Sequence, residues 1–271
     1  MLRRSQLYVP GNNEKMIAKA ATLEADSIIL DLEDAVPASE KASARSVVAR
    51  LSKELDWGKK ELCVRINAMW TPEHSLDVPA VKKIERVDSI LVPKAEGDCS
   101  PVARRSGKAL IPIVETAKGM MTLNDVARSK AVVAITYGAG DYASSVGGSV
   151  DAYLDNETVK TLIVAAAKAY GVEAVDNVFF DLEDLERFRT QAMAARSLGY
   201  TGKQVVHPSQ IPVANQVFSP FDAEVEWAEK VVREFDDAGA RKRGAIRVDG
   251  RLVDAVHYRL AKSILERKAR S

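Results

Sequence analysis

Acidic side chains follow several short apolar runs and are the strongest chemical signal in this sequence. In "SIILDLEDAV" the run leads into Asp31, Glu33 and Asp34; "IPIVETAKG" supplies Glu115, and "ITYGAGDYASS" supplies Asp141. Carboxylates are costly to bury unless they are paired, hydrogen-bonded or close to a metal. Oxygen ligands without clustered His or Cys favour a hard cation, and Mg²⁺ usually takes one or two carboxylates. We therefore predict one Mg²⁺ per site on Glu115 and Asp141; a helix cap and a turn are the alternative interpretations.

Basic and neutral polar residues follow other apolar runs. "VRIN" places Arg65 at such a point, and "VPKAE" places Lys94 there as a substrate-binding candidate. A guanidinium can grip a carboxylate or a carbonyl oxygen beside a metal, although Arg65 could instead pair with a nearby acid. We interpret His207 as a turn residue before Pro208. Helix caps and a solvated first turn are the interpretation for three later acids, Asp181, Glu183 and Asp184.

The elements that must position these residues alternate between strand and helix. Eight short apolar runs are each followed by helix-type sequence: Gln6–Val9, Ser27–Leu30, Leu62–Ile66, Ser89–Val92, Leu110–Val114, Val132–Thr136, Asn177–Phe180 and Gln204–Val206. Eight such repeats are typical of an α/β protein with a (β/α)8 TIM barrel, whose active sites lie at the carboxyl ends of the strands. An open doubly wound sheet usually has a glycine-rich turn after its first strand, which "VPGNNEK" is not.

Four helices can be predicted from spacing and end signals. They are Asn13–Glu24, Ser39–Leu55 with Ser39 as N-cap, Asn156–Tyr170 and Leu185–Leu198, the last ending before Gly199. The barrel accounts for residues 1–212. Residues 213–271 form a predicted helical extension: a helix over Ala223–Asp236, a hairpin at Asp249–Gly250 and a final helix over Val256–Lys268. We expect this extension to cover the barrel or to contact a neighbouring subunit.

Composition excludes several classes of function. The 271 residues are 46% hydrophobic and 28% charged, with a net charge of +1, so neither nucleic acid nor an anionic membrane surface is an expected partner. No apolar stretch approaches the roughly 20 residues that span a bilayer, and the N-terminus lacks the apolar region of a signal peptide. Cys63 and Cys99 have no CxxC spacing, and we expect reduced thiols in a cytoplasmic protein.

Seven motifs occur in an order that resembles a known family. They are "RRSQLYVPGNNEKM", "LDLEDAV", "VRIN", "VPKAE", "VETAKG", "GAGDYASSVGG" and "VHPSQI", with "DGRLVD" in the tail. Together they are similar to the citrate lyase β-subunit family, within the larger HpcH/HpaI aldolase group. The resemblance implies a Mg²⁺-dependent carbon–carbon lyase on a TIM barrel. Its substrate would be a citryl-, malyl- or citramalyl-thioester on coenzyme A or an acyl-carrier protein, cleaved to an acetyl-thioester and a small keto acid.

The resemblance also implies roles for individual residues. Glu115 and Asp141 match the family's metal ligands, and Glu33 and Asp34 match positions that hold metal-bound waters. Arg65 matches the arginine that grips the keto acid or its precursor. One departure concerns the position before Asp141, where many members have an acid and this chain has a glycine.

A tail aspartate and the oligomeric state complete what the resemblance implies. Asp254 matches an acid that enters a neighbouring subunit's site, where it would transfer a proton, and the family is commonly trimeric or larger. We therefore expect a homotrimer or larger homo-oligomer. Arg3, Arg4 and Lys15 are candidates for binding the nucleotide phosphates of coenzyme A, with surface charge as the alternative.

Three other functions remain open at this point. A metal-dependent class II pyruvate aldolase would use a similar site on free hydroxy-keto acids. A subunit of a citrate lyase complex would receive citryl groups from an acyl-carrier protein. A binding module without catalytic activity would require all the strand-end acids to be incidental.

Overall fold

Eight parallel strands close into a barrel in sequence order. The computed structural model describes residues 1–237 and 244–270. The strands are β1 Ser5–Pro10, β2 Ser27–Asp31, β3 Glu61–Arg65, β4 Ser89–Val92, β5 Ala109–Val114, β6 Ala134–Tyr137, β7 Glu173–Asp176 and β8 Gly202–Val205. Pairing of β1 with β8 closes the sheet. The predicted (β/α)8 TIM barrel is confirmed.

Strands β2 to β6 are mostly apolar because both of their faces are covered, whereas β7 and β8 also bury polar side chains such as Asp176 and Lys203. Ile28, Ile29 and Leu30 of β2 are completely buried, as expected for a parallel strand between barrel interior and outer helices. Polar residues therefore concentrate just beyond the strand ends.

The helices of the barrel unit are α1 Glu14–Ala21, α2 Lys41–Glu54, α3 Pro72–Lys82, α4 Ser100–Ser106, α5 Ala117–Met121, α6 Leu123–Ala127, α7 Ala139–Val146, α8 Val150–Leu154, α9 Glu157–Ala169, α10 Leu185–Leu198 and α11 Gln210–Phe218. Asn156 caps α9 through its side chain, and α10 ends at Gly199 in a left-handed conformation, as predicted. Ser39 is not an N-cap, because a 3₁₀ turn over Ala38–Glu40 follows Pro37 and α2 begins only at Lys41.

Strand β7 lies before its predicted position. The prediction was Asn177–Phe180, whereas the strand is Glu173–Asp176, at the end of "GVEAVD". Polar residues stand at both ends of this strand, so its sequence does not read as an apolar run. Asp176 is nevertheless fully buried, because it pairs with Lys203 of β8 at 2.6 Å and with Lys160 of α9 at 3.0 Å. The strand was therefore missed because its buried aspartate breaks the apolar pattern used to predict strands.

The described residues from Val217 onward form a second compact unit, and Arg3–Gln216 belong to the first. Helix α12 (Asp222–Asp236), the antiparallel strands β9 (Ala245–Val248) and β10 (Arg251–Asp254), and helix α13 (Ala255–Arg270) build it. Asp249 and Gly250 have φ values of 47° and 78°, as a type I′ hairpin turn requires. Its apolar core consists of Ala228, Val231, Val248, Val253, Ala261 and Ile264.

Helices long and apolar enough to span a bilayer are absent from residues 1–237 and 244–270.

Candidate active site

A buried clamp joins the ends of β2 and β3. The strand register places Asp31 beside Arg65, and the carboxylate accepts two parallel hydrogen bonds, at 2.7 Å from Nε and 2.6 Å from Nη2. Asp31 also accepts from the backbone amides of Glu33 and Ala35, which shapes the loop after β2. The guanidinium lies 5.0 Å from the centre of the Tyr8 ring. Such bidentate pairing holds the guanidinium in one plane and leaves Nη1 facing away from the clamp.

Glu33 and Asp34 lie around that remaining nitrogen. Glu33 is buried, and its Oε2 is 3.1 Å from Nη1 of Arg65 without a hydrogen bond of acceptable angle to any described atom. Burial raises the pKa of Glu33 despite the nearby positive charge of Arg65. Asp34 is exposed, 3.7 Å from Arg65 and 3.7 Å from the Lys94 ammonium.

Lys94 connects the acids that follow three strands, β2, β5 and β6. Its Nζ is 2.8 Å from Glu33 and 4.0 Å from Asp141, and its backbone amide donates to Oε1 of Glu115 at 2.7 Å. Its backbone is left-handed, with φ of 49°. For a lysine this conformation costs about 1–3 kcal/mol, and such strain is found mostly at functional sites. Burial opposes the ammonium charge, but the hydrogen bond with Glu33 raises the pKa of Lys94 above its usual value.

Glu115 and Asp141 face one cavity of about 380 Å³. Glu115 directly follows β5 and is 3% exposed, whereas Asp141 lies in the first turn of α7, after β6, and is exposed. Burial, together with the charges of Asp141 and Glu33, raises the pKa of Glu115 from 4.5 to about 8 despite Lys94. The ionised form of this buried carboxylate would therefore be stabilised by a cation.

The residues fit a hard cation. Within the two described ranges, no group of three or more His, Cys, Asp or Glu side chains is arranged to hold a metal, and the two carboxylates that line the cavity at the ends of β5 and β6 are those of Glu115 and Asp141. Two oxygen donors beside open space suit Mg²⁺, which keeps several waters, better than Zn²⁺. Gly138 makes room for Glu115, because a Cβ there would lie only 2.3 Å from Oε2.

The remaining site candidates lie elsewhere in the barrel unit. Lys15 is exposed in the first turn of α1 and does not line the cavity. Arg3 and Arg4 precede β1, at the amino end of the barrel, and do not line the cavity; their role in phosphate binding stays a prediction. Arg3 pairs at 2.7 Å with both Glu61 and Glu173.

His207 and the acids after β7 have local roles. His207 lies in a bend and contacts the Ser209 hydroxyl at 2.8 Å. Asp184 is the N-cap of α10, accepting from the amide of Arg187, and Asp181 accepts from the amide of Glu183. Both arrangements are those that the sequence predicted.

Asp254 ends β10 in the second unit. Its Oδ1 accepts from the amide of Val256 at 2.9 Å and lies 2.7 Å from Nδ1 of His257. The hydrogen bond with His257 lowers the pKa of Asp254, so the carboxylate is ionised at neutral pH.

Sequence reasoning missed two kinds of site residue. Asp31 was noted only as a strand-end acid, because a bidentate partner on the next strand is invisible in the sequence. Tyr8, Tyr137 and Gln204 also line the cavity, and the available signal was their position near the ends of β1, β6 and β8.

Comparison with known proteins finds relatives that are similar over nearly the whole length of this chain. Residues 4–100 and 102–208 match the family HpcH/HpaI aldolase/citrate lyase. The (3S)-malyl-CoA thioesterase of Cereibacter sphaeroides is 34% identical over 97% of this chain and 93% of its own length. The L-malyl-CoA/beta-methylmalyl-CoA lyase of Rhodobacter capsulatus is 34% identical over 97% and 94%. The mitochondrial citramalyl-CoA lyase of Rattus norvegicus is 31% identical over 97% and 85%.

Solved structures show the same architecture. CitE of Mycobacterium tuberculosis, in complex with magnesium, acetoacetate and coenzyme A, is 31% identical, with a TM-score of 0.82 over 98% of this chain and 97% of that one. The citrate lyase beta subunit of the same organism, complexed with oxaloacetate and magnesium, is 32% identical with a TM-score of 0.72 over 81% and 98%.

Proposed function

This chain belongs to the HpcH/HpaI aldolase/citrate lyase family, and from that premise we propose that it is a Mg²⁺-dependent carbon–carbon lyase. Its substrate is a β-hydroxyacyl thioester of coenzyme A, such as malyl-, citramalyl- or citryl-CoA. Cleavage gives an acetyl thioester and a 2-keto acid, and the reverse reaction forms the thioester. The names of the lyase relatives and the magnesium and coenzyme A in the CitE complex support this function.

One observation carries the proposal: the carboxylates of Glu115 and Asp141 and the guanidinium of Arg65 face the same cavity. Glu115 and Asp141 would hold Mg²⁺ through carboxylate oxygens, and the hydrogen bond from the Lys94 amide to Oε1 fixes the orientation of the Glu115 carboxylate. Glu33 and Asp34 would hold the waters of the ion through their negative charge. When bound, the metal polarises the oxygens of the hydroxy-acid part of the substrate.

Arg65 is the proposed anchor for the carboxylate of the hydroxy acid. Its Nε and Nη2 are occupied by Asp31, so Nη1 is the donor left for the substrate. Because the clamp holds the guanidinium before the substrate arrives, little reorganisation is needed when charge develops. The ammonium of Lys94 adds a second positive charge at the same rim.

The reaction breaks the bond between the carbinol carbon and the α-carbon of the thioester. A base takes the hydroxyl proton, the carbinol oxygen becomes the carbonyl oxygen of the 2-keto acid, and the bonding electron pair passes to the thioester enolate. The α-carbon then takes a proton to give the acetyl thioester. Asp254 of a neighbouring subunit is the proposed proton-transferring group.

A homo-oligomer, trimeric or larger, is part of this proposal. Asp254 is about half exposed, and Leu252, Val256 and Leu260 of β10 and α13 are exposed apolar residues near it in the chain. Exposed apolar side chains grouped in this way favour coverage by another protein surface. We also propose a cytoplasmic location, which subcellular fractionation would test.

The deciding experiment incubates the purified protein with malyl-, citramalyl- and citryl-CoA, with Mg²⁺ or with EDTA, and identifies products by mass spectrometry. We expect acetyl-CoA and a 2-keto acid only with Mg²⁺. Asp141→Asn should abolish this turnover while leaving the circular dichroism spectrum unchanged. Free coenzyme A with an intact hydroxy acid would instead indicate a thioesterase, and full activity of Asp141→Asn would contradict the metal site.

The other functions considered from the sequence are not favoured. The named relatives act on coenzyme A thioesters, which fits neither an aldolase for free hydroxy-keto acids nor a subunit that depends on an acyl-carrier protein.

A further inference from the structure

The cavity is charged on one side and neutral on the other. The elements that follow β2 to β6 provide five carboxylates and two basic groups that line or adjoin it: Asp31, Glu33, Asp34, Glu115, Asp141, Arg65 and Lys94. The segments at β7 and β8 contribute Val178, Phe180, Gln204 and Val206. Across the described part of the chain, no charged side chain lines the cavity from these two segments.

Two buried side chains that line the cavity, Gln204 on this neutral side and Tyr137 at the end of β6, each have one polar atom without a hydrogen-bond partner among the described residues. Gln204 is 2% exposed; its Oε1 accepts from the Tyr8 hydroxyl at 3.2 Å, and its Nε2 makes no hydrogen bond to any described atom. The Tyr137 hydroxyl, in a fully buried side chain that also lines the cavity, likewise has no hydrogen bond among the described residues. Buried groups of this kind gain stability when a ligand oxygen satisfies them.

We propose that Gln204 and Tyr137 determine specificity, selecting a hydroxy acid whose carbinol carbon carries hydrogen or methyl rather than a carboxymethyl group with a second carboxylate. This inference rests on the proposed lyase function. The two neutral groups would hydrogen-bond an oxygen of the substrate, while Ile113 and Val206 would accept a methyl group. The substrate class is then the malyl- and citramalyl-type thioesters.

Charge balance is the reason for excluding the second carboxylate. Even with Mg²⁺ bound, the five carboxylates outnumber the positive charges by one. The substrate's first carboxylate has Arg65 and the metal as partners. A citryl group would place another carboxylate in the same cavity, where the described lining residues offer no further cation to pair it, and an unpaired buried charge is strongly disfavoured.

The test compares kcat/KM for malyl-, citramalyl- and citryl-CoA with saturating Mg²⁺. We expect the value for citryl-CoA to be more than about tenfold below that of the better of the other two. A smaller difference, or a preference for citryl-CoA, overturns this inference while leaving the lyase function intact. If no thioester is cleaved, the proposed lyase function fails and the inference fails with it.

Variants of Gln204 test whether the neutral side of the cavity determines substrate specificity. Gln204→Arg adds a cation, and we expect the ratio of citryl-CoA to citramalyl-CoA cleavage to rise at least about tenfold. Gln204→Met is the matched control: similar in length and uncharged, it should lower the rate but keep the wild-type ranking. An unchanged ratio in folded Gln204→Arg overturns the proposal.

A second variant covers the case in which Gln204→Arg does not fold. Tyr137→Phe removes one hydroxyl and keeps the ring. We expect KM for the preferred thioester to rise several-fold in a protein with a wild-type circular dichroism spectrum. An unchanged KM excludes Tyr137 from substrate recognition and overturns its part of the proposal.

Discussion

Glu115 is buried at a place where its negative charge is poorly solvated, and this links metal binding to pH. Its pKa is about 8 in the folded protein against 4.5 ordinarily, so between these values the folded, metal-free protein keeps a proton that the unfolded chain releases. The stability that this proton provides is fully present below about pH 4.5 and is lost as pH rises through about 8. Metal binding must displace the same proton.

We therefore predict that Mg²⁺ raises the melting temperature more at pH 8.5 than at pH 6. In EDTA, the melting temperature should fall between pH 6 and pH 9 more steeply for the wild type than for Glu115→Gln. Differential scanning fluorimetry measures both effects, and Glu115→Gln should gain no stability from Mg²⁺. A shift on adding Mg²⁺ that is the same at both pH values would contradict the assignment.

Arg65 depends on the shape of its guanidinium as well as on its charge. Arg65→Lys keeps the charge but cannot make the two parallel hydrogen bonds to Asp31 or present a fixed donor to substrate. We expect kcat/KM to fall about 100-fold or more, as for loss of a group that stabilises developing charge. Arg50→Lys is the matched control, because Arg50 is exposed on α2 and its ion pairs in the described structure are with Glu14 and Glu54. Equal activity of the two variants would remove Arg65 from substrate binding.

At the scale of elements, the turn from β6 into α7 determines whether Glu115 can reach its place. Gly138 is the N-cap of α7, and a Cβ there would meet Oε2 of Glu115 at 2.3 Å and its Cβ at 2.6 Å. Gly140, two residues later, has open space where its Cβ would be. The two glycines therefore differ in function although both lie in one short motif.

We predict that Gly138→Ala displaces the Glu115 side chain, weakens Mg²⁺ binding at least about tenfold and lowers stability, because contacts this short must be relieved by movement. Gly140→Ala should bind Mg²⁺ like the wild type. Isothermal titration calorimetry with Mg²⁺ compares the two variants. Normal binding by Gly138→Ala would show that Glu115 is not a ligand.

At the scale of the whole molecule, the proposed role of Asp254 requires two subunits for one site. A site would then combine Glu115 of one chain with Asp254 of another, so Glu115→Gln and Asp254→Ala should each be inactive. When the two variants are co-expressed, random assembly pairs an intact Glu115 with an intact Asp254 in roughly a quarter of the sites.

We expect about that fraction of wild-type activity from the co-expressed variants, measured on oligomers isolated by size-exclusion chromatography. Two single-variant preparations mixed without subunit exchange provide the control and should stay inactive. Asp254→Ala with wild-type turnover would remove Asp254 from the mechanism, and a monomer in solution would exclude the shared site.

Much of the barrel could be predicted from sequence because its signals are local. A strand buried on both faces is usually apolar, and the side chains that follow it are usually polar where they meet solvent or ligand. These rules located seven of the eight strands, the hairpin at Asp249–Gly250 and the acids at the strand ends. They failed at β7, where Asp176 is buried with Lys203 and Lys160 from later and earlier elements.

The sequence by itself determined which residues the strand ends deliver to the mouth of the barrel, because strand spacing and chain order are local properties. Only the tertiary structure decided how those residues pair: Asp31 with Arg65, Lys94 with Glu33, and Gly138 against Glu115. The tertiary structure also decided that Arg3 forms ion pairs with Glu61 and Glu173 at the amino end of the barrel. The physical reason is that closing the barrel brings together strands far apart in sequence, and charge and packing partners are chosen only then.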